Sequence, residues 1–453
     1  MSESDTFAAL ATPPGEGALA VIRISGSDTN TVLEALGFDR NAPPPPRSFQ
    51  RAHYRDLEGV VVDNLTFVFF RGPRSYTGDD MIELTAHGSP FIVEKILQDL
   101  QARGIGLAEP GAFTRAAFLN GKLDLAQAEA VVDLIRARSD RALRAAQQQL
   151  SGVLGKKVEE LVSQLLRVTA GLEAYIDFPE EDLPPEDQEG PRGDLRKLAE
   201  ALRNLAATRK YKDRLQDGVR VVLLGEPNAG KSTLLNVLIG EERAIVSEEA
   251  GTTRDYIEVR VGLGPHLVRL IDTAGLRESI SKVERAGVER SKQLAREADV
   301  ILLVLDRTAP PPSLDPEIAE ALRGKPSIVI LNKADLDLRN ETAAFLSELP
   351  RCVVAAQTGL GVEELRHTLI RLLNSDYAVP ETADVIVSAR HAGALDEARR
   401  HVECALANLV DERPPELAAS DLHLAIEAME RIVGKIDNER MLDELFGSFC
   451  IGK

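Results

Sequence analysis

The chain has 453 residues, 44% hydrophobic and 28% charged, a composition that predicts a folded protein of several domains and excludes a disordered or fibrous one. Lysine and arginine number 54 against 72 acids, a net charge of −18, which argues against a stand-alone, sequence-independent nucleic-acid binder. Three cysteines are no disulfide framework, the acidic start M-S-E-S-D-T-F carries no basic leader, and no apolar run approaches the ~20 residues of a membrane helix, so the expectation is a cytoplasmic chain without a membrane span.

The first ~120 residues alternate β-branched runs with Gly/Pro turns, as short strands do. Ala18–Ile24 and Val60–Phe70 read as strands, separated by the loop-forming run Pro43–Pro46. Phe91–Arg103 has helical spacing and stops before Gly104. From Gly121 the texture becomes helical. Leu143, Leu150, Leu154, Val158, Leu161, Leu165, Val168, Leu172 and Tyr175 form one stripe of a long helix that ends near Asp177. Arg136, Arg138, Arg141 and Arg144 run along one helix, either as a solvated face with Asp133 and Asp140 as pairs or as a contact for a nucleic-acid backbone. The acidic stretch 178–190 reads as a loop, and Asp194–Gln216 as a further helical run.

Residues 217–376 switch to strand–loop–helix alternation, the pattern of a parallel α/β sheet. Val219–Leu224, Leu267–Ile271, Val300–Leu305 and Ser327–Leu331 are the strands, with Val362–Leu373 as the closing helix. Helical texture returns after Pro380 and persists to about Met441, broken at Pro414-Pro415. The predicted architecture is multidomain. It comprises an N-terminal α+β domain (1–118), a helical domain from two segments (119–216 and 377–453), and an inserted α/β domain with a mainly parallel sheet (217–376).

The segment Gly225–Ser232 matches G-x-x-x-x-G-K-S/T between a predicted strand and a predicted helix starting at Thr233. Its glycines let backbone N–H groups wrap phosphates, Lys231 reaches the terminal phosphates, and Ser232 is a Mg²⁺ ligand. Asn228, Ala229 and Gly230 belong to the same loop. Gly251-Thr252-Thr253 is a loop whose threonine can close over Mg²⁺. Asp272-Thr273-Ala274-Gly275 follows a strand, placing an acid at the metal's water and a glycine N–H at the γ-phosphate. Asn332-Lys333-Ala334-Asp335 follows another strand, and a carboxylate there accepts two hydrogen bonds from the guanine edge. Four such segments in this sequence and context predict a GTPase, with 217–376 an inserted Ras-like P-loop G domain. The residue after Gly275 is Leu276, which cannot orient the attacking water. Glu278 and Glu284 are the nearby acids, and Arg254 and Arg277 could act as fingers.

These segments, with Arg23-Ile24-Ser25-Gly26, Ser75–Asp80, Leu119–Leu125, Gly251–Asp255 and Cys450-Ile451-Gly452-Lys453, resemble over the whole chain one family, the bacterial tRNA-modification GTPases called MnmE or TrmE. The resemblance implies a homodimer that works in a heterotetramer with an FAD-dependent partner, MnmG or GidA. It implies installation of an aminomethyl or carboxymethylaminomethyl group on carbon 5 of the wobble uridine of certain tRNAs. The one-carbon donor is a tetrahydrofolate derivative, 5-formyl- or methylene-tetrahydrofolate, held by the N-terminal domain. Arg23, Glu83, Lys122 and Lys453 match folate-contacting positions. The family hydrolyses GTP with K⁺ as G domains pair. Asn228 matches its K⁺ ligand, with further contacts from the loop holding Ser247, Glu249 and Thr252. Ser232 and Thr253 match Mg²⁺ ligands, and Glu284 matches the acid that orients water. The base-contacting segment is Ala355-Ala356-Gln357, one hydroxyl short of the family's S-A-x, and the family's H-G-G is His87-Gly88-Ser89.

Of the three cysteines, Cys450 is the candidate for chemistry, because a thiolate adding to a pyrimidine would activate carbon 5; a nucleophile on the FAD partner is the alternative. Cys352 and Cys404 read as small core residues. The competing class is a ribosome-assembly GTPase switch without covalent chemistry, which normally carries a basic RNA-binding appendage absent from this sequence.

Overall fold

A computed structural model describes residues 6–39, 41–177, 189–240, 257–272, 283–336, 345–377, 385–434, 439–447 and 449–452. It divides into two compact units. One comprises residues 1–132, 150–194 and 401–453; the other comprises 133–149 and 195–400.

In the first unit, six strands form one sheet: β1 (Phe7–Leu10), β2 (Leu19–Ser25), β3 (Phe49–Arg55), β4 (Val61–Phe70), β5 (Met81–His87) and β6 (Gly106–Leu107). Their order is β3-β4-β5-β2-β1-β6, antiparallel except for β1 with β6. Burial alternates along β4, so Leu65, Phe67 and Phe69 enter a core with helices α1 (Thr29–Ala35) and α2 (Pro90–Ala102). The β2–β5 register sets Arg23 opposite Glu83.

Asp99 of α2 is buried and holds three donors. Tyr54 Oη donates to Oδ2 at 2.8 Å, Arg103 Nε to Oδ2 at 2.6 Å, and the Leu57 N–H to Oδ1 at 2.9 Å. Asp99→Ala is expected to cost about 3–5 kcal/mol, because a buried cation and a buried phenol lose their acceptor. Urea denaturation would check this, and a loss below ~1 kcal/mol would show the network to be dispensable.

The same unit carries α3 (Ala112–Leu119), most of α4 (Leu125–Arg136) and α6 (Val153–Asp177), with α5 (Asp140–Leu150) lying mostly in the other unit. The expected single long helix is thus broken. Gly152 takes φ +80°, a left-handed turn that stops α5 before α6 begins. The four arginines do not share one helix: Arg136 ends α4, Arg138 lies in the connection, and Arg141 and Arg144 lie on α5. Helix α6 packs along helix Pro415–Val433, and Pro414-Pro415 ends the preceding helix as expected. Cys404 is exposed, not core, because it falls on the outer face of helix Ala389–Val410. The acidic stretch 178–188 lies outside the described residues.

The second unit holds α7 (Glu189–Ala206) from Leu195 onward and α8 (Arg209–Asp217), two helices where the sequence suggested one. Its sheet contains β7 (Val219–Leu224), β8 (Ile257–Leu263), β9 (His266–Asp272), β10 (Val300–Asp306), β11 (Ser327–Asn332) and β12 (Arg351–Val353). The order is β12-β11-β10-β7-β9-β8, and only the edge strand β8 is antiparallel. Nearly every residue of β7, β10 and β11 is buried, because helices cover both faces of the sheet. After the three-residue β12, Ala355 makes an isolated bridge to Leu360.

Two covering helices are linked by cations. The last turn of α10 (Val283–Glu297) and the residue following it offer the carbonyls of Ala295, Arg296 and Ala298 to Lys325 Nζ. Lys292 reaches Asp315, the N-cap of α11 (Pro316–Gly324), at 2.9 Å, and Arg296 pairs with Glu317 of α11.

Candidate functional site

The parallel strands of the second unit end at one edge of the sheet, where backbone polarity and loop freedom place ligand sites in folds of this kind. The turn after β7 starts at Gly225 with φ +147°, and a Cβ there would collide with the carbonyl of Val304. Asn228 follows at φ +63°, a left-handed conformation that asparagine tolerates. Gly230, at φ +95°, leaves room for the Asn332 amide. The turn then enters α9 (Lys231–Gly240), whose first N–H groups face the loop.

Lys231 is buried, and its Nζ donates to the carbonyls of Gly225 and Glu226, both at 2.8 Å. Burial lowers its pKa, while the charges of Asp272 and Glu226 act in the opposite direction. Ser232 Oγ donates to Oδ2 of the fully buried Asp272 at 2.7 Å. These hard oxygens at a helix N-terminus suit Mg²⁺. Thr233 is exposed on the same turn.

Asn332 joins two loops. Its Nδ2 donates to the Ala229 carbonyl at 2.8 Å, and its Oδ1 accepts from the Ala356 N–H at 3.0 Å. The base-contacting candidates therefore meet the phosphate loop through one side chain. Ala355 and Ala356 are buried, and Gln357 and Asp335 are exposed. The neighbouring Lys333 Nζ donates to Asp306 Oδ2 at 2.5 Å. Partial burial works to raise the Asp306 pKa, but hydrogen bonds from Lys333 and Thr308 outweigh it and hold the carboxyl below its usual value. Sequence reading missed Asp306; its signal was an acid ending an apolar strand.

Ser247, Glu249, Thr252, Thr253, Arg254, Thr273, Ala274, Gly275, Leu276, Arg277, Glu278 and Lys453 lie outside the described residues. Glu284 is placed at the start of α10 by its backbone alone.

A second cluster belongs to the first unit. Arg23 donates to Glu83 Oε1 from Nε at 2.9 Å and from Nη2 at 2.7 Å. Its guanidinium carbon lies 5.5 Å from the ring centres of both Tyr76 and Phe113. Its Nη1 donates to the Gly452 carbonyl at 3.4 Å, and Gly452 lies against Leu10 and Ala11. Glu83 and Lys122 line one open cavity of about 510 Å³ with Arg47, Arg74 and Tyr76. Arg23, Glu83 and the residue before Lys453 are therefore brought together, with Lys122 across the cavity. Tyr76, Phe113, Arg47 and Arg74 were not singled out from sequence. Cys450 is exposed, and its carbonyl accepts from the Gly111 N–H at 3.5 Å.

A phosphate loop between a parallel strand and a helix, an acid ending the adjacent strand and bonded to the loop's serine, and N-K-x-D ending a third strand define a P-loop GTPase. Residues 6–122 match the family model described as GTP-binding protein TrmE N-terminus, and residues 125–450 match MnmE helical domain. The chain is 46% identical to the tRNA modification GTPase MnmE of Opitutus terrae, covering 99% of both chains. It is 41% identical to that of Roseiflexus castenholzii, covering 100% of both, and 39% identical to that of Aquifex aeolicus, covering 99% of this chain and 100% of the other. The chain belongs to the MnmE family of tRNA modification GTPases.

Proposed function

We propose that this chain is a K⁺-activated GTP hydrolase that, with an FAD-dependent partner, adds an aminomethyl or carboxymethylaminomethyl group to carbon 5 of the wobble uridine of certain tRNAs. The observation that carries the reading is the convergence of Lys231, Ser232, Asp272 and Asn332 at one sheet edge of a chain from this family. Lys231 and the N–H groups of the phosphate loop bind the β- and γ-phosphates. Ser232 and Thr253 would hold Mg²⁺, with Asp272 beside it, and Thr273, Ala274 and Gly275 would read the γ-phosphate. Asn228 and the loop with Ser247, Glu249 and Thr252 hold K⁺. Bound there, the two cations supply positive charge to the phosphates as negative charge develops. Glu284 orients the water.

The cavity lined by Glu83 and Lys122 is assigned to a tetrahydrofolate derivative, with Arg23 and Lys453 at its edge. Its cations Arg47, Arg74 and Lys122 suit the carboxylates of that ligand, and Phe70, Tyr76 and Met81 suit its ring. The domain organisation we assign is 1–118 for folate binding and dimerisation, 119–216 with 377–453 as the helical domain, and 217–376 as the G domain. In the full-length dimer, titration calorimetry with 5-formyltetrahydrofolate is expected to show binding that Lys122→Ala weakens. Undetectable heat with the unaltered chain would remove the folate assignment.

Asp335→Asn is expected to shift nucleotide preference from GTP to XTP by about 10²-fold, since a site built for a donor pair rejects its loss strongly. Competition between the two nucleotides checks it, and an unchanged preference for GTP would refute Asp335 as the guanine-reading residue. The function as a whole is tested by mass spectrometry of tRNA nucleosides from a deletion strain. Loss of the modified wobble uridine, restored by this chain, is the expected result, and a normal nucleoside profile would sink the reading.

A further inference from the structure

Although the chain carries a net charge of −18, one cavity of the second unit concentrates cations. It measures about 440 Å³ and lies among the end of α4, the connection to α5, α8 and the edge strand β8. Arg136, Arg138, Lys212 and Arg260 line it, facing Asp133 and Asp217. Both carboxylate oxygens of Asp133 are already engaged, by Lys212 Nζ at 2.7 Å and Gln216 Nε2 at 2.6 Å. Asp217 is the second acid of the lining, beside Arg138 and Arg260. The Nη1 of Arg138 is buried and has no hydrogen-bond partner among the described residues. Arg260 stands opposite Arg269 in the β8–β9 register, and Arg269 takes Glu258 for itself through two bonds of 2.8 Å.

We propose that this cavity binds a phosphodiester group of an RNA backbone. The planar forks of Arg138 and Arg260 match the oxygens of a phosphate. The lining contains no aromatic side chain, so nothing there stacks a base. The site reads backbone without reading sequence. The choice of RNA over free phosphate rests on the tRNA-modification reading above. It also explains how an acidic protein holds a polyanion: a local cluster overrides the mean charge within a Debye length of about 8 Å.

The test uses the full-length chain, a transcribed tRNA and the double variant Arg138→Gln/Arg260→Gln. Neither residue belongs to the nucleotide site, so GTP turnover should stay within about twofold, which also reports folding. Fluorescence anisotropy should show tRNA binding weakened about tenfold, with the slope of log affinity against log salt reduced by about one to two. The Lys/Lys variant should recover most of the affinity. Arg260→Gln alone, on an edge strand, replaces the double variant if that one fails to fold, and should give a slope change of about one. Inorganic phosphate, added in thermal-shift assays at constant ionic strength, forms a second arm. Loss of phosphate stabilisation with tRNA affinity unchanged would assign the cavity to free phosphate and overturn the RNA claim. Unchanged affinity and slope, or an unaltered chain that binds no tRNA, would overturn it too. A chain that hydrolyses no GTP would count against the proposed function and not against the cavity.

Discussion

Asn332→Ala is expected to weaken GTP binding by at least thirtyfold while leaving the sheet folded. The side chain accepts from the Ala356 N–H and donates to the Ala229 carbonyl, and it is buried. Alanine leaves both backbone groups without a partner, each at a cost of about 1–3 kcal/mol. The loss falls on the phosphate loop and the base-contacting segment, because those are the two parts the amide joins. Strand β11 keeps its ladder to β10 and β12, so the circular dichroism spectrum should not change. Asn332→Asp is the informative companion. It preserves the acceptor for Ala356 but loses the donor to Ala229, so it should cost about half as much in free energy, plus the repulsion of a carboxylate near the phosphates. A GTP dissociation constant within threefold of the original in the alanine variant would show that the loops are positioned independently.

Turnover of GTP is expected to rise at least tenfold when K⁺ replaces Na⁺ at matched ionic strength. Leu276 cannot orient water, and the negative charge developing between the β- and γ-phosphates calls for positive charge, which the proposal assigns to K⁺ beside Asn228. Asn228 stands exposed at φ +63° in the phosphate loop, where its side-chain oxygen would serve the K⁺ proposed above. Asn228→Ala should abolish the K⁺ response. Glu284→Ala should retain nucleotide affinity and lose about 10²–10⁴ in turnover, the range associated with positioned acid–base groups. Equal rates in K⁺ and Na⁺ would overturn the cation assignment. A fully active Glu284→Ala would leave the ion in place and release the glutamate from its role.

The parts legible in sequence were those with a period or a fixed spacing. The buried parallel strands announced themselves as apolar runs, and β7 was placed to the residue at Val219–Leu224. The phosphate loop was legible because its conformation demands glycine at set places. Helix ends were less legible. The stripe from Leu143 to Tyr175 reads as one helix, whereas the left-handed φ of Gly152 terminates α5. The arginines at 136–144 looked like one face for the same reason. Cys404 has alanine neighbours that suggested a core, but which face of an amphipathic helix is buried depends on partners distant in sequence. The partners of site residues were the least legible of all. The Arg23–Glu83 pair follows from strand register, and the Asn332 links come from loops packed at the end of a sheet.

The cations at the far end of α10 have a mechanical consequence. Lys325 clamps the carbonyls at that end, and Lys292 and Arg296 tie the same region to α11. Exposed ion pairs add little to stability, yet several at one point restrict translation. A fifteen-residue helix is about 22 Å long. The tie at Arg296 lies about 18 Å along the axis from Glu284, estimated from the helical rise. The ties therefore hold the C-terminal end of α10 against α11 and leave the end that carries Glu284 unrestrained by them.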